Sequence, residues 1–204
     1  MKHGLPVKVI LAAVLVLALG SGCGSGRDVK KTDGAIGAPL NKTDVLQPGL
    51  NALYLFKKYR DIDEMPSDER FLSEGLSKGP LPRLDHQFGT GNVFESERSQ
   101  GVGMLISGFI NLDPAGTYAF QVLSNDGVRV VLGEKMILND PGVHGDQLTE
   151  SGPVQVDAAG WHPLNIKYFQ RKGSAALSFR WKKPGQESYT PVPAEALAHQ
   201  PQTD

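Results

Sequence analysis

The chain has almost no cysteine, no long hydrophobic run beyond residues 9–19, and no excess of either charge. Its single cysteine, Cys23, excludes an intramolecular disulfide. Lysine and arginine total 21 against 22 aspartate and glutamate residues, a net charge of -1, which argues against nucleic acid as a partner. The sequence also lacks a Gly-x-Ser-x-Gly elbow, a phosphate-cradling glycine loop and a His-Glu-x-x-His helix. We therefore predict that the protein is not an enzyme.

Residues 1–22 have the pattern of a secretory signal peptide. Lys2 and Lys8 precede the apolar run of residues 9–19, which is followed by the small residues GSG. A run of this length is too short to span a bilayer, and no stop-transfer pattern follows it. We expect the segment to be removed on export.

Cys23, directly after these small residues, resembles the acylated cysteine in the lipobox of bacterial lipoproteins. The usual leucine of that motif is replaced here by Gly20. The resemblance implies a lipid anchor on Cys23 and a place in the cell envelope; the alternative is an ordinary secreted protein with a free thiol. Since Gly24 is not the aspartate that often marks inner-membrane retention, we expect the outer membrane.

Three further segments follow from composition. Residues 23–48 are rich in Gly, Lys, Asp and Pro without an apolar period, which predicts a flexible tether. Residues 49–197 are long enough for one domain with a sizeable core, and we expect residues 198–204 to be a C-terminal tail.

The domain reads as short strands separated by turn residues. Alternating apolar positions, or β-branched and aromatic residues, mark predicted strands at 50–56, 102–112, 117–124, 128–132, 135–138, 153–157, 161–170 and 175–181. Turn sequences such as DPAG, NDG and RKG lie between them. Many strands with close turns and no long helical period indicate an all-β, antiparallel β-sandwich or barrel.

Two charged segments interrupt this pattern. The acidic residues of DIDEMPSDER, within 57–98, allow a metal or catalytic carboxylate cluster, but we interpret the segment as a solvated insertion. The basic turn QRKG, residues 170–173, allows contact with anionic polymers, but we interpret it as protection of an edge strand.

The motifs GTYAFQVLSNDGVRVVLG and YFQRKGSAALSFRW, together with GLNALYLF and VPAEAL, resemble the PA-fourteen (protective-antigen) domain family over about residues 49–197. The resemblance implies a β-sandwich of barrel-like outline and carbohydrate binding. In the sugar-binding yeast adhesins of this family, two consecutive aspartates and an asparagine on another loop hold calcium that contacts sugar hydroxyls. The matching dipeptide here is Asn125-Asp126, which keeps the second aspartate.

The turn at residues 125–127 and the loop at 139–146 carry the candidate site residues. The candidate ligand-binding residues are Asn125, Asp126, Asn139, Asp140 and His144; the candidate calcium ligands are Asp126, Asn125 and Asp146. Oxygen-bearing side chains of these types suit calcium. The same types also suit ordinary turns, because they tolerate positive φ and bond to the backbone.

We therefore expect a non-catalytic, lipid-anchored envelope protein whose sandwich binds a glycan or envelope polysaccharide, with calcium as a possible cofactor. The alternative is a structural or assembly module that docks an envelope protein on the same sandwich.

Overall fold

The computed structural model describes residues 36–40 and 45–201. The predicted signal peptide, the predicted lipidation site Cys23 and most of the predicted tether lie outside these residues. None of the helices in the described ranges is both long enough and apolar enough to cross a membrane.

The described residues form fourteen strands and one α-helix. The strands are β1 (Gln47–Pro48), β2 (Asn51–Phe56), β3 (Leu76–Ser77), β4 (Asp85–Gly89), β5 (Val102–Leu112), β6 (Gly116–Ser124), β7 (Val128–Leu132), β8 (Lys135–Asp140), β9 (Gln147–Glu150), β10 (Val154–Val156), β11 (Gly160–Gln170), β12 (Ala175–Lys182), β13 (Thr190–Pro191) and β14 (Leu197–His199), and the helix is α1 (Asp68–Glu74). Short 3-10 helices cover Ile62–Glu64, Phe94–Ser96 and Ala194–Ala196.

The strands pair antiparallel in two sheets. The first sheet has the order β1-β14-β5-β11-β7-β8, with β2 joining β5 and β3 joining β2. The second has the order β10-β6-β12-β13, with β9 joining β6 and β4 joining β12. The sheets do not close into a barrel. The all-β, antiparallel β-sandwich is thus confirmed.

The core lies between the two sheets, because alternate side chains of each long strand face inward. Its fully or almost fully buried members include Tyr118, Phe120 and Val122 on β6, Leu164 and Ile166 on β11, and Phe179 and Trp181 on β12. Burial of each large side chain stabilises the fold by about 1.5–3 kcal/mol relative to exposure.

The segment between β2 and β5 is more than a solvated insertion. It contributes apolar side chains to a second cluster on the outer face of the first sheet, formed by Tyr59, Ile62, Met65, Phe71, Leu105 and Phe169. Two ion pairs also fasten it to that face: Asp63 Oδ1 lies 2.7 Å from Arg129 Nη2, and Asp68 Oδ1 lies 2.8 Å from Lys167 Nζ. The solvated interpretation is therefore wrong for this segment, since its apolar residues, spaced among the acids, bury against the sheet.

The domain also begins earlier than Gly49. Ile36 is buried in the main core, and the backbone N–H of Leu40 donates to Trp161 O at 2.8 Å. The carbonyl of Ile36 packs so closely on Gly133 that no side chain would fit there. The part of the predicted tether at residues 36–40 therefore belongs to the sandwich.

Three connections cross between the sheets at the same end of the sandwich. They are residues 125–127 (β6 to β7), 141–146 (β8 to β9) and 171–174 (β11 to β12). We call this the three-loop end. Residues 36–40 contact the opposite end, at the β7–β8 turn and the start of β11.

Candidate functional site

The turn at residues 125–127 is the centre of the three-loop end. Asp126 has φ of 63°, a left-handed conformation that aspartate tolerates better than most residues. Gly127 is required by close packing, because a Cβ there would lie 2.7 Å from Pro141 O and would overlap the Phe169 ring. These residue types therefore form the turn itself, which agrees with the interpretation of this segment as an ordinary turn.

Asn125 ties all three loops together. Its side chain is only 5% exposed, and its Nδ2 donates to Asp146 Oδ1 at 2.7 Å and to Ser174 Oγ at 3.2 Å. Its backbone N–H donates to Ala176 O at 3.0 Å. Asp146 and Ser174 are themselves exposed, so the amide holds two solvent-facing acceptors in fixed positions.

Asp126 is 1% exposed and connects its turn to the two other loops. Its Oδ2 accepts the backbone N–H of Arg171 at 2.7 Å, and its own N–H donates to His144 O at 3.1 Å. Burial raises the pKa of Asp126 above its usual value, against the lowering effect of hydrogen bonds from the backbone amides of Arg171, His144 and Lys172. Asp126 therefore positions the other two loops and does not itself face solvent.

Asp140 and His144 shape the middle loop. Asp140 Oδ2 accepts Gln147 Nε2 at 3.1 Å and Thr149 Oγ1 at 2.5 Å. His144 Nε2 lies 3.3 Å from Asp140 Oδ1, an ion pair when the imidazole is protonated, and its Nδ1 contacts Gly145 O at 2.7 Å. These contacts fix the conformation of the loop, and Val143 within it is 46% exposed.

Asn139 does not lie with the other candidate residues at the three-loop end. It lies directly opposite Arg129 in the β7–β8 pairing, so both side chains share the outer face of the first sheet. Arg129 Nε donates to Asn139 Oδ1 at 2.7 Å. The prediction treated 139–146 as one loop, but β8 continues to Asp140 and strand alternation turns the two neighbours to opposite faces.

Sequence reasoning missed the contribution of the third loop. The buried Gln170 side chain donates to Lys172 O at 3.1 Å and to Ser174 O at 2.7 Å, which fixes residues 171–174. The interpretation of this basic turn as edge protection is wrong, because β11 and β12 both have neighbours on each side. No signal in the sequence marks this turn as a crossover, because the crossing depends on which sheet each strand joins.

Unpaired polar groups collect at the same place. Within the part of the chain that the structure describes, five buried side-chain polar atoms have no hydrogen-bond partner. Ser124 Oγ and Arg171 Nε are two of them; a third, His144 Nε2, has only the Asp140 carboxylate nearby, at 3.3 Å. Burial, with the nearby carboxylates of Asp126 and Asp146, raises the pKa of Tyr168 well above its usual value. Such groups are uncommon in folded proteins and concentrate where a ligand or water completes the bonding.

The calcium that the resemblance implies does not fit this arrangement of donors. The NH₂ group of Asn125 faces Asp146 Oδ1, where a cation would need an oxygen. The carboxylate of Asp126 is engaged by backbone amides. Across residues 36–40 and 45–201, no group of three or more His, Cys, Asp or Glu side chains is placed to hold a metal ion. We therefore assign no role here to calcium.

A polar cavity of about 320 Å³ lies elsewhere, on the outer face of the first sheet. Its lining includes Asp68, Asn165 and Lys167, which pair with one another: Asn165 Nδ2 donates to Asp68 Oδ2 at 3.0 Å, and Lys167 pairs with the same carboxylate. These charges are already used to fasten the insertion, so the three-loop end is the stronger candidate.

Solved structures with the same fold include carbohydrate-binding adhesins. The chain is 13% identical to the Epithelial Adhesin 6 A domain from Candida glabrata, in complex with Galb1-3GlcNAc (TM-score 0.57), covering 79% of this chain and 91% of that one. It is 17% identical to the PA14 sugar-binding domain from an RTX adhesin (TM-score 0.53; 74% and 98% covered).

A larger relative shows the same fold as part of its chain. The anti-sigma factor domain-containing protein from Clostridium clariflavum is 19% identical, with a TM-score of 0.59 over 78% of this chain. The match covers 49% of that protein, so this chain spans about half its length.

Sequence comparison gives the family directly. A search of the curated proteins finds no match. The model of the PA14 domain family matches residues 88–195, more than half of the chain. The chain therefore belongs to the PA14 domain family.

Proposed function

We propose that the three-loop end binds carbohydrate without catalysing a reaction on it. The observation that carries the proposal is the convergence of three crossover loops at one end of the sandwich. Asn125 and Asp126 hold these loops together by hydrogen bonds, and the Asn125 side chain bonds to both exposed residues of the site, Asp146 and Ser174. The sugar-binding adhesin domains of the same fold support it.

The exposed groups match the chemistry of a sugar. A carboxylate such as that of Asp146 accepts two hydroxyl protons, and the hydroxyl of Ser174 both donates and accepts. Val143 offers apolar surface to the C–H face of a pyranose ring. Since Asn125 fixes both polar groups before a ligand arrives, binding loses little conformational entropy.

The same geometry argues against glycoside hydrolysis. That reaction needs two carboxyl groups that reach the scissile bond from either side. Asp126 is buried and bonded to backbone amides, so it cannot serve as one of the pair. The buried carboxylate of Asp126 instead holds the neighbouring loop in position, which supports a binding role.

We also propose that the protein is anchored to the cell envelope through lipidated Cys23, with the outer membrane as its expected location. Residues 36–40 contact the end of the sandwich opposite the three-loop end. Metabolic labelling with a fatty acid tests the anchor: the native protein incorporates label and Cys23→Ser does not, whereas an unlabelled native protein contradicts it.

A glycan array with the purified protein tests the binding proposal. The double variant Asp146→Ala/Ser174→Ala removes the two exposed groups and should weaken binding at least tenfold, about the value of one or two hydrogen bonds. Glu187→Ala, exposed in the turn after β12 at the opposite end, is the matched control and should bind like the native protein.

The outcomes separate the two candidate functions. Binding that survives a chelator and depends on Asp146 and Ser174 supports a glycan site without calcium. An array on which the native protein binds nothing contradicts the glycan site and favours the module that docks an envelope protein.

A further inference from the structure

A group of basic side chains borders the three-loop end. We call it the basic rim, and its members are Lys57, Lys58, Arg98, Arg171 and Lys172. They come from three segments: the residues after β2, the residues before β5, and the crossover after β11.

The fold brings these segments together at the end of the first sheet. β2 and β11 both pair with β5, so the chain leaving β2 and the chain leaving β11 lie on either side of Gly101. Gly101 N–H donates to Arg171 O at 3.2 Å, and a Cβ on Gly101 would lie 3.4 Å from Lys58 Cγ. Gly101 thus joins the segments that carry Lys58 and Arg171, while the Lys57 ammonium lies 5.4 Å from the centre of the Tyr59 ring, toward the outer face of the first sheet.

Arg98 is held in place by an aromatic ring. Its guanidinium carbon lies 4.1 Å from the centre of the Phe56 ring, at the last residue of β2. A cation stacked in this way keeps its charge exposed while its position is restricted.

The rim differs from the basic residues that fasten the insertion. Arg129 and Lys167 each lie within 3 Å of a carboxylate oxygen. In residues 36–40 and 45–201, no carboxylate lies within 4.0 Å of a rim cation. Arg171 Nε is in addition buried without a hydrogen-bond partner. The rim cations are therefore not engaged in ion pairs with other described residues.

The rim adjoins the proposed sugar site directly. Arg171 and Lys172 follow Gln170 into the loop that carries Ser174, and the backbone N–H of Arg171 donates to Asp126. A saccharide held by Ser174 and Asp146 would extend over these side chains.

We infer that the basic rim makes the site selective for acidic glycans, meaning sugars that carry carboxylate, sulfate or phosphate groups. The inference rests on the proposed carbohydrate site and adds the class of sugar to it. The carboxylate of Asp146 accepts hydroxyl protons at the centre, while the rim attracts the acidic substituent of the same or the next residue.

The test uses matched pairs of oligosaccharides in which one member is charged and the other is neutral: oligogalacturonate and its full methyl ester, and carrageenan oligosaccharides and their fully desulfated form. The native protein should bind the charged member of at least one pair about tenfold more tightly at 50 mM salt, with the preference shrinking at 500 mM salt as screening increases.

Two double variants remove the same charge at opposite ends of the sandwich. Lys58→Gln/Lys172→Gln changes the rim and should reduce the tenfold preference to about twofold, since each exposed charge pair changes affinity by a few-fold at most. Lys182→Gln/Lys183→Gln is the control; these lysines lie over the Tyr189 and Trp181 rings at the far end of β12 and should not matter.

Each result bears on a different claim. Equal affinity for charged and neutral members, both lost in Asp146→Ala/Ser174→Ala, leaves the sugar site standing and overturns the acidic selectivity. The acidic selectivity is also overturned if both double lysine variants lose the same share of the preference for charged glycans. It is overturned likewise if the native protein binds a single-stranded oligonucleotide of the same charge as tightly as it binds the charged glycan, because the attraction is then unspecific. Absence of binding to every glycan contradicts the proposed function and the selectivity together.

Discussion

Replacing Asn125 by aspartate turns an internal hydrogen-bond donor into a third carboxylate. In the native protein, Asn125 Nδ2 donates to Asp146 Oδ1 at 2.7 Å and to Ser174 Oγ at 3.2 Å. Loss of a hydrogen bond to a charged group costs about 1.5–3 kcal/mol. The new carboxylate also faces Asp146 at hydrogen-bond distance, where two negative charges destabilise each other.

We expect Asn125→Asp to lower the free energy of unfolding by about 2–4 kcal/mol at pH 7 without calcium. For a domain of this size, 1 kcal/mol shifts the melting temperature by about 2–4 °C, so a loss of roughly 5–15 °C should follow. Asn125→Ala is the control, because it removes the donor without adding charge. The difference between the two variants measures the repulsion, and it should shrink as the pH falls and one carboxylate is protonated.

Calcium should act on the variant and not on the native protein. In Asn125→Asp the carboxylate at position 125 faces that of Asp146, and a cation that binds only the folded state adds about 2.7 kcal/mol at a hundredfold excess over its Kd. Thermal melts and calorimetry in calcium and in chelator measure this. A native protein stabilised by several degrees in millimolar calcium would refute the reasoning, since it would mean that the Asn125 amide rotates to offer its oxygen to an ion.

Three other changes test the supporting structure. Ile36→Ala should lower the free energy of unfolding by about 2–5 kcal/mol in chemical denaturation, because Ile36 is a core residue; an effect under 0.5 kcal/mol would mean that residues 36–40 are a tether. Gly127→Ala should destabilise by more than 1 kcal/mol, since its Cβ would press on Pro141 and Phe169, and an unchanged melting temperature would contradict that packing. The raised pKa of Asp126 means that the folded state binds its proton more tightly than the unfolded state, so the stability it contributes is present in acid and declines as the pH rises above its usual value near 3.8. The stability of the native protein relative to Asp126→Asn should therefore fall between pH 3 and neutrality, and the opposite slope in pH-dependent denaturation would contradict the burial of the charge.

The long strands were predictable because their side chains alternate clearly. The predicted limits 102–112 and 128–132 match β5 and β7, and those of β6, β11 and β12 differ by one residue at one end. Because one side of each of these strands faces the core, apolar and polar residues alternate along the sequence with a period of two.

The short edge strands and the helix were not predicted, for physical reasons. β9 has the sequence QLTE and is mostly exposed, so it has no buried face to impose alternation. Helix α1 has acids in its first turn after Pro66 and Ser67, which are start signals, but only Phe71 of its seven residues is buried. So short a helix is stabilised by packing on the sheet, which local sequence does not reveal.

The site was half predictable. Asn125 and Asp126 stand out as turn residues after a strand, and Asp146 lies in the polar loop that follows β8. The contribution of Ser174 and Arg171 depends on which strands cross between sheets at one end. That is a property of topology, and no spacing along the chain encodes it.

Mapping the bound sugar by nuclear magnetic resonance tests the central claim most directly. The tightest glycan from the array is titrated into the ¹⁵N-labelled protein, and shifts of the backbone amides are followed. The account predicts that the largest shifts fall at residues 125–127, 141–146 and 171–174, with smaller shifts along the basic rim. Shifts centred instead on the opposite end of the sandwich, around residues 182–186, would contradict it.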